Sequence, residues 1–304
     1  MGKVRYKVQN WPEYNKSLKN RYNLTLWVDE SATTGLPAQT TGKRGRPFVY
    51  SSSTIEVCLV VRSLFRLPLR GVEGLMRSIA RLIHLPVPDY TVLSRRGRRL
   101  KIDLAFKPRD SAIHLVVDST GLKIYGEGEW KVRIHGIGKR RTWRKIHIGL
   151  DEATGEIVCA EFTKADTVDS DVLPKILRKI GLRVLQVSAD GAYDRRKDYK
   201  AIARMGARAV IPPRWDAVVC SRGRPSERDV NIERIRKIGL KRWKVESQYH
   251  RRSLTETAFS RLKRIFGGGL RSRLFENQRT EAMIALNLLN RMTALGMPNS
   301  IPAN

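Results

Sequence analysis

The sequence predicts an α/β protein in which a mixed sheet with flanking helices is preceded by a mainly helical region. Three observations carry this. Two short apolar, β-branched runs, Ala112-Ile-His-Leu-Val-Val-Asp118 and Arg183-Val-Leu-Gln-Val-Ser-Ala-Asp190, each read as a buried strand that ends in a carboxylate. From residue 112 onward the coarse order is strand, strand, strand, helix, strand, helix, strand, helix. Before that point, apolar residues recur at helical rather than alternating spacing.

In the N-terminal half, Val57, Val60, Val61 and Leu64 mark one helix and Val72, Leu75, Met76 and Ile79 a second, with Pro68 dividing them. Asp89 is placed to cap a third, short helix that runs through Tyr90, Thr91 and Leu93 toward Arg95, Arg96, Arg98 and Arg99. Three helices with a basic last member suit a helix-turn-helix module whose last helix enters the major groove. They also suit a plain helical bundle with solvated arginines. A Thr/Gly-rich linker precedes them and holds Arg44-Gly-Arg46-Pro47. Its Arg44 and Arg46 suit a narrow minor groove, whereas the second copy, Arg222 to Pro225, reads as a basic linker.

The first carboxylate-terminated strand is followed by strands near Trp143 to Leu150 and Glu156 to Thr163. They flank Asp151-Glu-Ala-Thr-Gly155, a hairpin turn by composition, so Asp151 and Glu152 are read as turn residues. Asp169 is read as the cap of a helix holding Val172, Ile176 and Ile180, and Asp194 as the cap of the next. Ala207 to Ile211 is a short strand. A single helix is predicted from about Tyr249 to Phe266, and Glu281 to Leu295 is expected to pack on the core. A chain of 304 residues suggests about two domains. The predicted division is 1–105 for the basic helical region, 106–275 for the α/β domain and 276–304 for a C-terminal helix and tail.

The chemistry concentrates in three places. Aspartate is a poor strand former, and Asp118 and Asp190 both close apolar runs at the sheet edge where open α/β folds place ligands. On the predicted Tyr249–Phe266 helix, Tyr249, Arg252, Glu256 and Lys263 fall within an arc of about 60°, opposite Leu254, Ala258, Leu262, Ile265 and Phe266. A carboxylate between two cations and a phenol can hold a hard cation beside a phosphate. Taken alone, the same stripe equally describes a solvated face with an Arg252–Glu256 pair.

Composition identifies the partner independently. With 59 Lys plus Arg against 29 Asp plus Glu, the net charge is +30 and the pI near 10.7. Such an excess calls for a polyanionic partner such as double-stranded DNA. The longest apolar runs are far below the roughly 18 residues of a spanning segment, so no membrane partner is expected. Met1 to Asn20 has no signal-like apolar stretch, which places the chain in the cytoplasm. Cys58, Cys159 and Cys220 are isolated, which fits a reducing compartment and neither a disulfide framework nor a zinc site. No Ser/His or Cys/His constellation offers a covalent nucleophile.

In the order Asp118, Asp190, Glu256, with Tyr249, Arg252 and Lys263 around the glutamate at intervals of two, three and six residues, the chain resembles bacterial insertion-sequence transposases of the DDE class. Within that class it is similar to the insertion-sequence-five-like group, defined by a Tyr, Arg, Glu, Lys motif. The resemblance extends over Asn10-Trp-Pro-Glu-Tyr-Asn15, Thr41-Gly-Lys-Arg-Gly-Arg-Pro47, Val117-Asp-Ser-Thr-Gly121 and Ala189-Asp-Gly-Ala-Tyr193. It implies a ribonuclease-H-like fold, with one carboxylate on the first strand, one after the fourth and one on a late helix.

It also implies that Asp118, Asp190 and Glu256 are catalytic and hold two Mg²⁺, which Mn²⁺ can replace, Asp118 bridging both ions. Tyr249, Arg252 and Lys263 would then grip DNA phosphates beside the site. The reactions implied are hydrolysis at the element ends and attack of the freed 3′-hydroxyl on target DNA, by a homodimer or higher assembly, in the bacterial cytoplasm at the nucleoid. Two other functions fit the same carboxylates: a ribonuclease-H-like nuclease without strand transfer, and a repressor-like DNA-binding protein derived from a transposase. One of Trp130, Trp143, Trp215 and Trp243 stacking on a flipped base is a weaker reading, since most tryptophans are core.

Overall fold

The computed structural model describes residues 5–23, 27, 49–83, 87–107, 110–124, 143–220 and 225–303. They form two compact units, Leu104–Leu270 in one, Met1–Asp103 together with Arg271–Asn304 in the other. Each is described separately.

The first elements are β1 (Arg5–Val8) and α1 (Trp11–Asn20), followed by α2 (Ser52–Leu64), α3 (Leu69–Ile83) and α4 (Tyr90–Gly97). The last three are the helices that the periodicity predicts. The Ser51 hydroxyl caps α2 by accepting from the Thr54 N–H at 3.0 Å, and Asp89 Oδ1 caps α4 by accepting from Thr91 and Val92 at 2.7 and 3.0 Å. Each cap satisfies N–H groups that a helix start leaves orphaned. The buried side of α2 carries Ile55, Cys58, Leu59, Val61 and Leu64.

The other unit begins with β2 (Ile113–Ile124), β3 (Trp143–Asp151) and β4 (Ile157–Lys164), then α5 (Asp169–Arg178), β5 (Val184–Ser188), a 3-10 turn at Gly191–Tyr193, α6 (Arg196–Ala203) and β6 (Arg208–Val210). Helices α7 (Glu227–Ile238) and α8 (Leu240–Glu246), a 3-10 turn at Tyr249–Arg252, α9 (Ser253–Phe266) and the short β7 (Gly269–Leu270) complete it. The sheet order is β4-β3-β2-β5-β6, with β7 pairing the far end of β2. Strand β3 runs antiparallel to β2 and β4, whereas β2, β5 and β6 are mutually parallel. Counted from β2, this is the order 3-2-1-4-5 with only the second strand reversed, the ribonuclease-H-like arrangement.

Helices α5 and α6 cover one face through Leu115, Val117, Val172, Leu173, Ile176, Val187 and Ile202, all essentially inaccessible. On the other face α9 lies against β2 and β3, and Val210, Trp243 and Tyr249 form a smaller cluster. The β3–β4 hairpin turns where composition predicts, with Gly155 at φ +71° and Asp151 accepting from Ala153 N and Thr154 Oγ1. Gly149 sits where β3 and β4 come closest. A Cβ there would lie 2.4 Å from Cys159 Sγ and 3.0 Å from Leu115 Cδ1. Gly149→Ala is expected to cost about 1–3 kcal/mol through overpacking, read as a lowered denaturation midpoint with an unchanged m-value.

The chain ends with α10 (Phe275–Leu295) and β8 (Ser300–Ala303), and β8 pairs antiparallel with β1. Helix α10 packs within the N-terminal unit on α2 and α4, where Thr280 Oγ1 donates to Gly97 O at 2.8 Å and Glu281 accepts from Arg271 N and Ser272 N at 2.9 Å. The sequence expectation of core packing is met, and the core is that of the helical unit. Among the described residues no helix is long and apolar enough to cross a membrane.

Three local expectations are corrected. Asp169 does not cap α5: the N-cap is Val168, and the Asp169 carboxylate reaches the sheet, accepting from Ser119 Oγ at 3.0 Å and Lys145 Nζ at 2.9 Å. A fixed cation outcompetes a cap that backbone N–H groups alone would reward. Asp194 does not cap α6, whose N-cap is Arg195; it is buried against Arg228. The predicted helix from Tyr249 to Phe266 is continuous but not α-helical throughout, changing pitch after Arg252. Gln248 adopts a left-handed conformation (φ 55°, ψ 26°), Tyr249 turns inward against Trp243, and the first four residues wind as 3-10 before α9 begins.

Candidate active site

Strands β2 and β5 are parallel, and their last paired residues are Val116 and Ser188. Asp118 and Asp190 each follow by two positions and so stand side by side, but only Asp190 lies past its strand: β2 runs on to Ile124 with Asp118 paired to Ile148 of β3, which corrects the expected strand end at Asp118. Because side chains alternate along a strand, Asp118 faces α9 and Ser119 faces α5. Asp118 Oδ1 accepts from the Ser119 N–H at 2.8 Å, and Oδ2 accepts from Arg252 Nη1 at 2.9 Å and from Thr255 Oγ1 at 3.1 Å. Burial raises the Asp118 pKa above the ordinary carboxylate value. The Ser119 N–H and Arg252 pull it down, and Asp190 pushes it up. Asp190 heads the 3-10 turn, with Oδ1 accepting from the Ala192 N–H at 3.0 Å.

Glu256 comes from the first turn of α9 and is 60% exposed at its side chain; its Oε1 lies 2.6 Å from Arg252 Nη2. Arg252 therefore bridges the strand carboxylate and the helix carboxylate. Its guanidinium stands 5.8 Å from the centroid of the Tyr249 ring, which is itself 5.9 Å from Trp243. Burial raises the Tyr249 pKa, with Asp190 and Asp118 adding to it and Arg252 opposing. Further along α9, Lys263 Nζ donates to Thr120 Oγ1 at 2.7 Å, two residues past Asp118 on β2. All six residues of the predicted signature thus meet at one edge of the sheet.

The remaining predicted site residues fall elsewhere. Arg44, Arg46 and Trp130 lie outside the described residues. Arg95, Arg98 and Arg99 are exposed on α4 and just after it. Arg96 is half-buried and its guanidinium donates to Tyr50 O at 2.9 Å and Ser52 Oγ at 3.4 Å, which makes it a brace of the helical unit. Trp243 is core at 2% exposure, whereas Trp215 is almost wholly exposed.

Sequence reasoning missed the supports. Thr255, fully buried, joins Asp118 to the backbone of Arg252. Asp169 grips Ser119, whose N–H in turn holds Asp118. Asp194, four residues after Asp190, accepts from Arg228 Nε at 2.7 Å, Arg228 Nη2 at 3.1 Å and the Arg214 N–H at 2.9 Å. The repeated acid in Asp190-Gly-Ala-Tyr-Asp194 was the available signal.

His147 is a further buried group beside Asp118's strand. Its Nε2 is 2.9 Å from Thr163 Oγ1 and its Nδ1 is 3.8 Å from Asp169 Oδ1. Burial pulls its pKa down to about 4, so at neutral pH its approach to Asp169 is not an ion pair. The unfolded chain, with a His pKa near ~6.5, binds more protons than the folded one between about 4 and ~6.5. This residue's contribution is therefore fully present above that window and is lost as pH falls through it. His147→Gln is expected to flatten the pH dependence of unfolding free energy over that interval, checked by denaturant titrations at successive pH values.

Hard oxygen donors of this kind suit Mg²⁺ or Mn²⁺. Among the described residues no three His, Cys, Asp or Glu side chains stand as a finished metal cage; Asp118 and Glu256 are joined through Arg252 instead.

Residues 109–292 match a family described as Transposase DDE domain, and residues 19–127 match a second family of the same description. The chain belongs to the DDE transposase domain family. Among solved structures it is similar to a Drosophila P element transposase strand transfer complex, at 16% identity and a TM-score of 0.32, covering 64% of this chain and 47% of that one. It is also similar to a piggyBac transposase synaptic complex with hairpin DNA, at 9% identity and a TM-score of 0.38, covering 94% of this chain and 76% of that one. The chain spans about half the length of the P element protein.

Proposed function

We propose that this protein is the transposase of a bacterial insertion sequence of the five-like group, which binds the terminal inverted repeats, cleaves phosphodiester bonds at the element ends and joins the 3′-hydroxyl ends to target DNA. The observation that carries the reading is the juxtaposition of Asp118, within β2, and Asp190, just past the end of the adjacent parallel strand β5, with Glu256 brought to Asp118 through Arg252. Asp118, Asp190 and Glu256 would hold two Mg²⁺ ions, or Mn²⁺ in their place. When bound, such ions activate the attacking oxygen and stabilise the leaving one in an in-line displacement. The chain's own groups supply the rest. Arg252 and Lys263 grip phosphates next to the scissile bond, and Tyr249 holds Arg252 in place through its ring. Thr255 and the Ser119 N–H fix the orientation of Asp118.

Ends are recognised by the helical region, with Arg95, Arg98 and Arg99 on the DNA side of a helix-turn-helix-like module and Arg44 and Arg46 following the minor groove. The protein works as a homodimer or larger assembly, because two ends must be held together, and it acts on the chromosome in the bacterial cytoplasm. The net charge of +30 supports strongly salt-dependent binding. Arg98→Ala with Arg99→Ala is expected to reduce the slope of log K against log salt by roughly 0.9 for each phosphate that these arginines neutralise, checked by filter binding over a salt series.

The test is incubation of the protein with a labelled duplex carrying the element's own end and Mg²⁺ or Mn²⁺. End-specific nicks with 3′-hydroxyls, followed by joining to a target plasmid, support the reading. Binding with no metal-dependent cleavage points to a repressor-like protein, and cleavage indifferent to end sequence and without joining points to a nuclease.

A further inference from the structure

Arg252 uses both arms of its guanidinium on carboxylates. One arm is 2.9 Å from Asp118 Oδ2 and the other 2.6 Å from Glu256 Oε1. The two ends of this bridge are unequal. The Asp118 side chain is 14% exposed and further held by Ser119 and Thr255, whereas Glu256 is 60% exposed and has room to move. The guanidinium occupies one oxygen of each carboxylate, and its charge, held at hydrogen-bond distance in a partly buried site, disfavours a second cation on the remaining oxygens. A DNA phosphate offers the guanidinium the same bidentate pair of anionic oxygens as a carboxylate. It is therefore an equivalent alternative partner for Arg252.

We propose that Arg252 is an exchange switch that couples DNA binding to metal binding: a phosphate takes over the guanidinium, and the released Asp118 and Glu256 become available to the metal ions. This rests on the assignment of Asp118 and Glu256 as metal-holding carboxylates made above. Coupling of this kind is reciprocal, so metal must raise the affinity for DNA by the factor by which DNA raises the affinity for metal. One consequence is protective. Off DNA the carboxylates stay paired with Arg252, and hydrolytic chemistry is confined to a site that already holds a phosphate.

The test is Mn²⁺ binding by the full chain, followed by the electron paramagnetic resonance signal of free Mn²⁺, with and without a duplex carrying the element's end. The native protein is expected to bind Mn²⁺ about ten-fold more tightly with the duplex than without it, within the usual range of such couplings. Arg252→Gln is expected to bind Mn²⁺ about ten-fold more tightly than the native protein when no DNA is present, with the effect of the duplex reduced to about two-fold or less. Arg251→Gln removes the neighbouring cation, whose guanidinium pairs with Glu152. It is expected to leave DNA-free Mn²⁺ affinity within about two-fold of native.

Equal or weaker Mn²⁺ binding by Arg252→Gln than by the native protein without DNA overturns the switch. An increase in Arg251→Gln as large as that in Arg252→Gln also overturns it, by reducing the effect to bulk charge. If Mn²⁺ binds identically to native protein and to Asp118→Asn, the metal assignment itself fails and the switch with it. Asp118-dependent binding with no Arg252 effect sinks the switch alone. Should Arg252→Gln unfold, the native protein still decides the question. Its duplex affinity must rise with Mn²⁺ by the same factor, and no rise overturns the proposal.

Discussion

Asp118→Asn and Glu256→Gln are each expected to lower the rate of end cleavage by roughly 10³-fold or more, equivalent to about 4 kcal/mol of lost transition-state stabilisation, while still binding the end duplex. The amides keep the size and hydrogen-bonding reach of the acids but remove the charge a hard cation requires. The structural cost is small for Glu256, which is largely exposed and pairs with Arg252 at the surface. It is larger for Asp118, whose buried oxygens accept from Ser119, Thr255 and Arg252. Asp118→Asn therefore needs an unfolding curve beside the rate measurement. The check is single-turnover cleavage of a labelled end duplex together with its binding isotherm. Retained cleavage in Glu256→Gln, within ten-fold of native, would remove this glutamate from the machinery.

The legibility of these residues in the sequence has a physical basis. An aspartate closing an apolar β-branched run is improbable on propensity, and two such residues can be read from sequence because strand period and strand burial are local properties, whereas the continuation of β2 past Asp118 along β3 depends on a partner strand and was not legible. Helices α2, α3 and α4 were legible for the same reason: Val57 to Leu64, Pro68 and Asp89 are local signals. What stayed hidden depends on partners distant in sequence. Nothing around Asp169 foretells that Lys145 and Ser119 will meet it, so its placement at a helix start made a cap the natural reading. The 3-10 winding of Tyr249 to Arg252 goes with Tyr249 packing on Trp243 and with the left-handed Gln248, neither of which alters the helical spacing of the apolar residues. The predicted stripe survives in part, because Arg252 and Glu256 remain one turn apart and still pair. Tyr249, by contrast, turned from the polar face into the core.

Loss of the Asp194–Arg228 pair is expected to be the most damaging change outside the carboxylates themselves. The Asp194 side chain is completely buried and Arg228 is 13% exposed, with two hydrogen bonds between them. Asp194 also accepts the Arg214 N–H and Arg228 donates to Val218 O at 3.1 Å, so one ion pair ties the turn after Asp190 to the segment from 214 to 218. Taking two charges out of water is expensive, and the pair stabilises little relative to an apolar substitute. Breaking it from one side, however, leaves an uncompensated buried charge, at a cost of about 3–5 kcal/mol. Arg228→Ala is therefore expected to lower unfolding free energy by about that amount, and more than Asp194→Ala does, since the arginine left behind in the second case is nearer to water. A double-mutant cycle on denaturant midpoints should show a coupling well above ~1 kcal/mol, the ceiling for exposed pairs. Cleavage assayed at a temperature where Arg228→Ala remains folded should also fall, because the turn after Asp190 is then held at Asp194 only through the Arg214 N–H, beside the buried Tyr193. Full activity in that variant would show that Asp190 is positioned by the strand end itself.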